Sequence, residues 1–66
     1  MKLFFENSYG VERLIAEVQN EEEAFKAIHK FLDDHNYTSY YIRSWMVNGR
    51  KKYDVGSWSE FFYLEG

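Results

Sequence analysis

The sequence predicts a single α+β domain in which one helix packs on an antiparallel sheet, in the order ββαββ with an optional fifth strand. Two observations predict this fold class. The dipeptide Asn48-Gly49 lies between two β-prone runs, which is the strongest short-range signal for a β-hairpin. A capped amphipathic pattern over residues 20–35 precedes these runs and predicts one helix.

Composition limits the size and the setting of the protein. A chain of 66 residues forms one domain, here residues 1–66, and a domain this small buries only about 60% of its unfolded surface. The absence of cysteine excludes disulfides and thiolate metal sites, so we expect a reducing cytoplasm. No apolar run is long enough for a transmembrane helix or a signal peptide, so we expect no membrane partner.

Two strands are predicted before the helix. Residues 2–6 alternate, with Leu3 and Phe5 on one face, and the turn-forming residues 7–10 follow. Residues 11–18 also alternate, except at Ile15. A helix over residues 11–19 fits the spacing too, but the turn before this segment and the helix start after it favour a strand. The residues predicted to share one face of the second strand are Leu14, Ala16 and Val18.

The helix has clear start and stop signals. Asn20 is a good N-cap, and Glu23 stands three residues later, as in a capping box. We expect the helix to run to about Asp34 and to end at His35-Asn36, because Asn adopts positive φ readily. The predicted apolar stripe consists of Ala24, Ile28, Phe31 and His35, widened by Phe25, Ala27 and Leu32.

The hairpin comprises residues 38–47 and 50–57, and residues 60–64 form a short final strand. A two-residue turn needs positive φ at both central positions, which Asn48 and Gly49 allow. The turn places Val47 opposite Arg50 and thereby determines the faces of both strands. The side predicted to pack beneath the helix holds Tyr40, Ile42, Met46, Tyr53 and Val55.

The reverse side of the hairpin carries aromatic and charged residues together. The predicted register makes an ion pair of Arg43 with Asp54, a cation–π pair of Lys52 with Trp45, and a contact of Tyr41 with Gly56. Strand alternation brings Trp58 to the same side if no bulge intervenes. We name this candidate partner-binding surface the aromatic patch, and it consists of Tyr41, Arg43, Trp45, Lys52 and Trp58.

Three interpretations of the aromatic patch remain open. It can simply cover the back of a thin sheet, or it can bind a protein, including a second copy in a homodimer. It can also bind single-stranded nucleic acid, with indoles stacking on bases. The phosphate contacts would then be Arg50, Lys51 and Lys52, but the net charge of −3 argues against this interpretation.

No catalytic or metal-binding constellation is recognisable. His29 and His35 are six residues apart, about 240° around a helix axis, so they cannot bind one metal ion together. No Ser/His/Asp group, phosphate-binding glycine loop or defensible carboxylate pair is visible. We therefore expect a non-enzymatic protein without metal or cofactor.

The helix residues Ala24, Ile28 and Phe31-Leu32, together with segments 37–45 and 54–62, resemble small uncharacterised proteins of temperate phages and prophages of Gram-positive bacteria. The resemblance spans most of the chain. It implies an accessory protein in the cytoplasm of an infected or lysogenic host, where such proteins often act by binding a host or phage component. The family has no assigned activity, so the resemblance assigns no functional residue.

Overall fold

The computed structural model describes all 66 residues as one α-helix and a five-stranded antiparallel sheet. This architecture confirms the predicted α+β class and includes the optional fifth strand. The bounds closely match the expected ones, although the hairpin strands are shorter. The elements are β1 (Lys2–Glu6), β2 (Glu12–Glu17), α1 (Glu21–Asp34), β3 (Arg43–Val47), β4 (Arg50–Asp54) and β5 (Phe61–Glu65).

The strand order in the sheet is β2-β1-β5-β4-β3. The final strand therefore lies in the middle, between β1 and β4, and β2 and β3 form the two edges. Because α1 connects β2 to β3, the chain must cross from one edge of the sheet to the other. The helix makes this crossing over one face and leaves the other face without a covering layer.

The ends of α1 are capped as the sequence predicts. The side chain of Asn20 accepts a hydrogen bond from the backbone N–H of Glu23 at 2.9 Å, and the Glu23 carboxylate accepts one from the backbone N–H of Gln19 at 2.9 Å. His35 is the C-cap, and Asn36 follows with φ of 62°. The helix is neither long nor apolar enough to cross a membrane.

The core lies between α1 and the middle of the sheet. The helix residues that are buried against the sheet are Ala24, Ile28 and Leu32. Strand β3 contributes nothing to this cluster, and Met46 is 65% exposed. The prediction that Met46 packs beneath the helix was wrong, because an edge strand lies beyond the strands that the helix covers. The core residues from outside the helix are Leu3, Val18, Tyr53, Val55, Phe62 and Leu64.

A β-bulge explains the exceptional position of Ile15 in β2. Leu3 pairs with Ala16 but Phe4 pairs with Leu14, so Ile15 is an extra residue in the ladder. The bulge lets Ile15 pack against the core and turns Leu14 to the opposite face, where it is exposed. The predicted shared face of Leu14 with Ala16 and Val18 was wrong for this reason.

The hairpin has the predicted turn and register. Asn48 and Gly49 have φ of 50° and 81°, and Val47 pairs with Arg50. The same ladder pairs Trp45 with Lys52, and β5 then pairs Lys52 with Tyr63. The register of the whole sheet therefore defines one row across the face opposite the helix. This row contains Leu14, Phe4, Tyr63, Lys52 and Trp45, one residue from each strand.

Candidate interaction surface

Two cationic side chains lie over aromatic rings on the face opposite the helix. The guanidinium carbon of Arg50 is 4.1 Å from the centroid of the Tyr63 ring, and the ammonium of Lys52 is 4.0 Å from that of Phe61. These contacts are cation–π interactions, and the apolar stems of the two side chains shield the rings from water. Tyr63 is buried, and its hydroxyl donates a hydrogen bond to Glu6 at 3.2 Å.

Arg50 also binds two carboxylates. Its terminal nitrogens donate to both carboxylate oxygens of Glu12 at 2.8 Å, and one of them donates to Glu65 at 3.0 Å. The hydrogen bond from Arg50 lowers the pKa of Glu12. The hydrogen bond to Glu12, and then the one to Glu65, raise the pKa of Arg50. Arg50 therefore has few donors left for a phosphate.

Lys51 lies on the other face of the sheet from its two basic neighbours. Its ammonium donates a hydrogen bond to the carboxylate of Glu21 in the first turn of α1, and this bond raises the pKa of Lys51. The predicted phosphate-binding set of Arg50, Lys51 and Lys52 is thus divided between two faces. These residues do not form one continuous basic surface.

Tyr41 packs on the backbone of Gly56, as the predicted pairing requires. A Cβ atom added to Gly56 would lie 3.2 Å from Cε1 of the Tyr41 ring, and Gly56 has φ of 89°. Only glycine adopts this conformation readily, and its lack of a side chain lets the ring come close. Arg43 lies over the same ring, with its guanidinium carbon 5.2 Å from the centroid.

Asp54 forms hydrogen bonds with both neighbours of Tyr41 in this part of the surface. Its carboxylate accepts a hydrogen bond from the Arg43 guanidinium at 2.7 Å and one from the backbone N–H of Gly56 at 2.9 Å. The first contact confirms the predicted ion pair. The hydrogen bond from Arg43, and then the one from Gly56, lower the pKa of Asp54. One buried carboxylate therefore positions both neighbours of Tyr41.

Trp58 projects from the connection between β4 and β5 and is 97% exposed. The hydroxyl of Ser57 accepts hydrogen bonds from the backbone N–H groups of Ser59 and Glu60, at 3.4 and 3.2 Å, and these bonds form a turn that includes Trp58. Trp58 borders an open depression of about 370 Å³. The other residues lining the depression are Tyr41, Asp54, Gly56, Ser57 and Phe61.

Lys52 does not form the predicted cation–π pair with Trp45. The two residues are opposite each other in the ladder, but the ammonium lies over Phe61 and is 5.6 Å from the centroid of Tyr63. The prediction considered only the hairpin, whereas β5 offers two rings on the other side of Lys52. The indole of Trp45 is left 43% exposed at the sheet edge.

Tyr41 contacts Arg43 and lines one depression with Trp58, and Trp45 lies two residues beyond Arg43 on the same face of β3. Lys52 points towards the middle of the sheet. Sequence reasoning predicted the ion pair of Asp54 with Arg43 but missed its hydrogen bond with the Gly56 backbone, although an Asp two residues before a glycine is a turn signal that could have identified it. Of the nine large hydrophobic residues exposed in the structure, Tyr41 and Trp58 line one depression, and Trp45 lies on the edge strand β3.

Comparisons of the chain with protein-family models, with curated proteins and with solved structures found no match.

Proposed function

We propose that the protein is a non-enzymatic module that binds a protein partner through the aromatic patch without Lys52, that is, through Tyr41, Arg43, Trp45 and Trp58. The observation that carries this proposal is the 97% exposure of Trp58 beside the exposed ring of Tyr41, with which it lines one open depression. Burying an aromatic side chain of this size removes about 150–250 Å² from water and is stabilising, and the costs of association offset part of this gain. A partner that covers Trp58 gains this stabilisation, which the isolated chain does not have.

The simpler interpretation, that the patch only covers the back of the sheet, has less support. That role belongs to Arg50 and Lys52, whose side chains lie over the rings of Tyr63 and Phe61. Trp58 lies in a connection between strands and covers none of the sheet. Its exposure is therefore better explained by a contact with another molecule.

The anchoring of Tyr41 and Arg43 also supports a binding role. Gly56 seats the Tyr41 ring, and Asp54 holds the Arg43 guanidinium, so both side chains are ordered before a partner arrives. Ordered side chains lose less conformational entropy on binding. Aromatic and arginine side chains are also those that contribute most at protein interfaces.

The alternative of single-stranded nucleic acid has weaker support. Arg50 is engaged by two carboxylates, and Lys51 faces the helix, so Lys52 is the only one of the three predicted phosphate contacts without a carboxylate partner. The setting in a phage-infected or lysogenic cell is proposed on the sequence resemblance alone.

Site-specific photo-cross-linking tests the proposal. A benzophenone side chain replaces Trp58 in one variant and Tyr9 in a control, because Tyr9 is also highly exposed, at 90%, but lies in the β1–β2 turn. We expect the variant at position 58 to form discrete covalent adducts with a partner protein, and we expect the variant at position 9 not to form them. Adducts from neither position, or the same adducts from both, would contradict the proposal.

The partner identified by mass spectrometry is then purified and its affinity measured. We expect the double variant Tyr41→Ala, Trp58→Ala to weaken binding roughly 30-fold or more, as for interface hot spots, while the circular dichroism spectrum stays unchanged. Unchanged affinity for a folded double variant would place the interface elsewhere.

A further inference from the structure

The two edges of the sheet differ in their protection against strand pairing. The edge strand β2 contains the bulge at Ile15 and carries the charged residues Glu12, Arg13 and Glu17. Bulges and charges are the devices by which proteins block edge-to-edge pairing. Strand β3 pairs regularly with β4 over all five of its residues, and its only charged residue is Arg43, which Asp54 neutralises. Only the β2 edge is therefore protected.

The backbone of β3 specifies what can pair with it. In a hairpin with a two-residue turn, the residues next to the turn form a hydrogen-bonded pair, and bonded and non-bonded pairs then alternate. With Val47 opposite Arg50, the N–H and C=O groups of Ser44 and Met46 point away from β4, towards the open edge. Such a row of backbone groups is satisfied by another extended strand.

We propose that this strand is β3 of a second copy of the chain, paired antiparallel about a two-fold axis at Trp45. The inference rests on the proposed function, because Trp45 belongs to the aromatic patch, and it names the partner. In this register Trp45 lies opposite Trp45 of the second copy. Ser44 lies opposite Met46, and Arg43 lies opposite Val47, so all five residues of the strand find partners within β3.

Charge and side-chain chemistry favour this self-pairing. An isologous contact brings the residue on the two-fold axis opposite its own symmetry mate, so a charge at the centre of β3 would repel itself. The centre of β3 is instead an indole, and aromatic pairs stabilise antiparallel strands. The Trp45 pair would be at a non-hydrogen-bonded position, where side chains are closest. Lys52 points away from Trp45 and leaves the indole available for this contact.

The first test measures mass by sedimentation equilibrium. We expect the wild-type chain to show twice its mass of 8.0 kDa at sufficient concentration. Trp45→Lys and Trp45→Glu are each expected to be monomeric, because they place like charges opposite each other. An equimolar mixture is expected to regain the dimer, because Lys and Glu then lie opposite each other. Rescue by mixing requires that position 45 contacts position 45 of the second copy.

Leu14→Lys provides the matched control. Leu14 is 45% exposed against 43% for Trp45, and it occupies the opposite end of the same row, on the other edge strand. We expect this variant to remain dimeric. The inference is overturned if the wild-type chain stays at 8.0 kDa at every concentration measured. It is also overturned if Leu14→Lys dissociates the dimer while the Trp45 variants do not.

A cysteine variant tests the same contact even if the charged variants unfold. Because the chain has no cysteine, Trp45→Cys introduces a single thiol. In a glutathione redox buffer, we expect it to form a disulfide-linked dimer at least tenfold faster than Leu14→Cys. Equal rates would overturn the inference. A monomeric wild-type chain whose position 58 still cross-links to another protein would overturn this inference alone and leave the proposed function standing.

Discussion

Arg50 on β4 forms a bidentate ion pair with Glu12 on β2, although β5 and β1 lie between these two strands. The guanidinium reaches across the sheet by lying over the Tyr63 ring, and it also binds Glu65. One side chain therefore connects the hairpin to the N-terminal strands and covers the centre of the open face. This arrangement contributes to stability through packing as well as charge.

Replacement of Arg50 by Ala is expected to lower the free energy of unfolding by about 1–2 kcal/mol, because Glu12 loses its partner and Tyr63 becomes exposed. Lys26→Ala is the control, since Lys26 pairs with Glu22 only at the helix surface, where both side chains are at least 75% exposed. We expect that change to be within about 0.5 kcal/mol. Urea unfolding measures the change in the free energy of unfolding for both variants. Equal changes would contradict the role given to Arg50.

Replacement of Gly56 by Ala is expected to destabilise the protein by about 1–2 kcal/mol through its positive φ, with a further penalty from the Tyr41 ring. Gly10→Ala is the control, because Gly10 has φ of 78° but no atom within 4 Å of an added Cβ. The additional destabilisation by Gly56→Ala, beyond that by Gly10→Ala, should disappear when Tyr41 is also replaced by Ala. An unchanged excess in that double-mutant cycle would show that the Tyr41 contact is not its cause.

Asp54 can be separated into its two contacts by substitution. Asp54→Asn keeps an acceptor for the Gly56 N–H but loses the ion pair, whereas Asp54→Ala loses both and should cost about 1–3 kcal/mol. Since the folded state lowers the pKa of Asp54 below its ordinary value of 3.8, this contribution is present above that pH and is lost as the pH falls through the folded-state pKa. The stability difference between wild type and Asp54→Asn should therefore shrink in acid. A stability difference between the two proteins that stays constant down to the pH of acid unfolding would contradict this prediction.

Tyr37 is expected to make stability fall at alkaline pH. Burial first, and then the hydrogen bond to Glu60, raise the pKa of Tyr37 from 10.0 to about 12. The folded state thus retains a proton that the unfolded state releases, so the contribution is present below pH 10.0 and is lost between 10.0 and about 12. Tyr37→Phe should lack this component of the loss. Parallel pH profiles for the two proteins, measured by chemical denaturation, would be the contrary result.

A short single-stranded oligonucleotide at low salt is expected to leave tryptophan fluorescence unchanged. The reason is that Arg50 and Lys51 are bound to carboxylates, so Lys52 is the only one of the three predicted phosphate contacts left without a carboxylate partner. Titration at low ionic strength favours binding and is therefore the strictest test. Quenching that weakens steeply with added salt would support the nucleic-acid alternative instead.

Several elements could be predicted because their causes lie within a few residues. The Asn48-Gly49 turn has the expected positive φ values and register, and Asn20 caps the helix as expected. The candidate site was predictable in part for the same reason. The Arg43–Asp54 ion pair and the Tyr41–Gly56 contact follow from the hairpin register alone. The position of Lys52 does not, because it depends on rings in another strand.

By itself, the sequence determined the element types, the helix ends and the pairing within the hairpin, because short-range sterics and hydrogen bonds control these features. Only the tertiary structure decided that β5 lies between β1 and β4, and every remaining feature of the surface depends on that order. It places Phe61 and Tyr63 beside Lys52, makes β3 an edge strand, and leaves Met46 outside the core. Such contacts join residues far apart in the chain, so no local pattern encodes them.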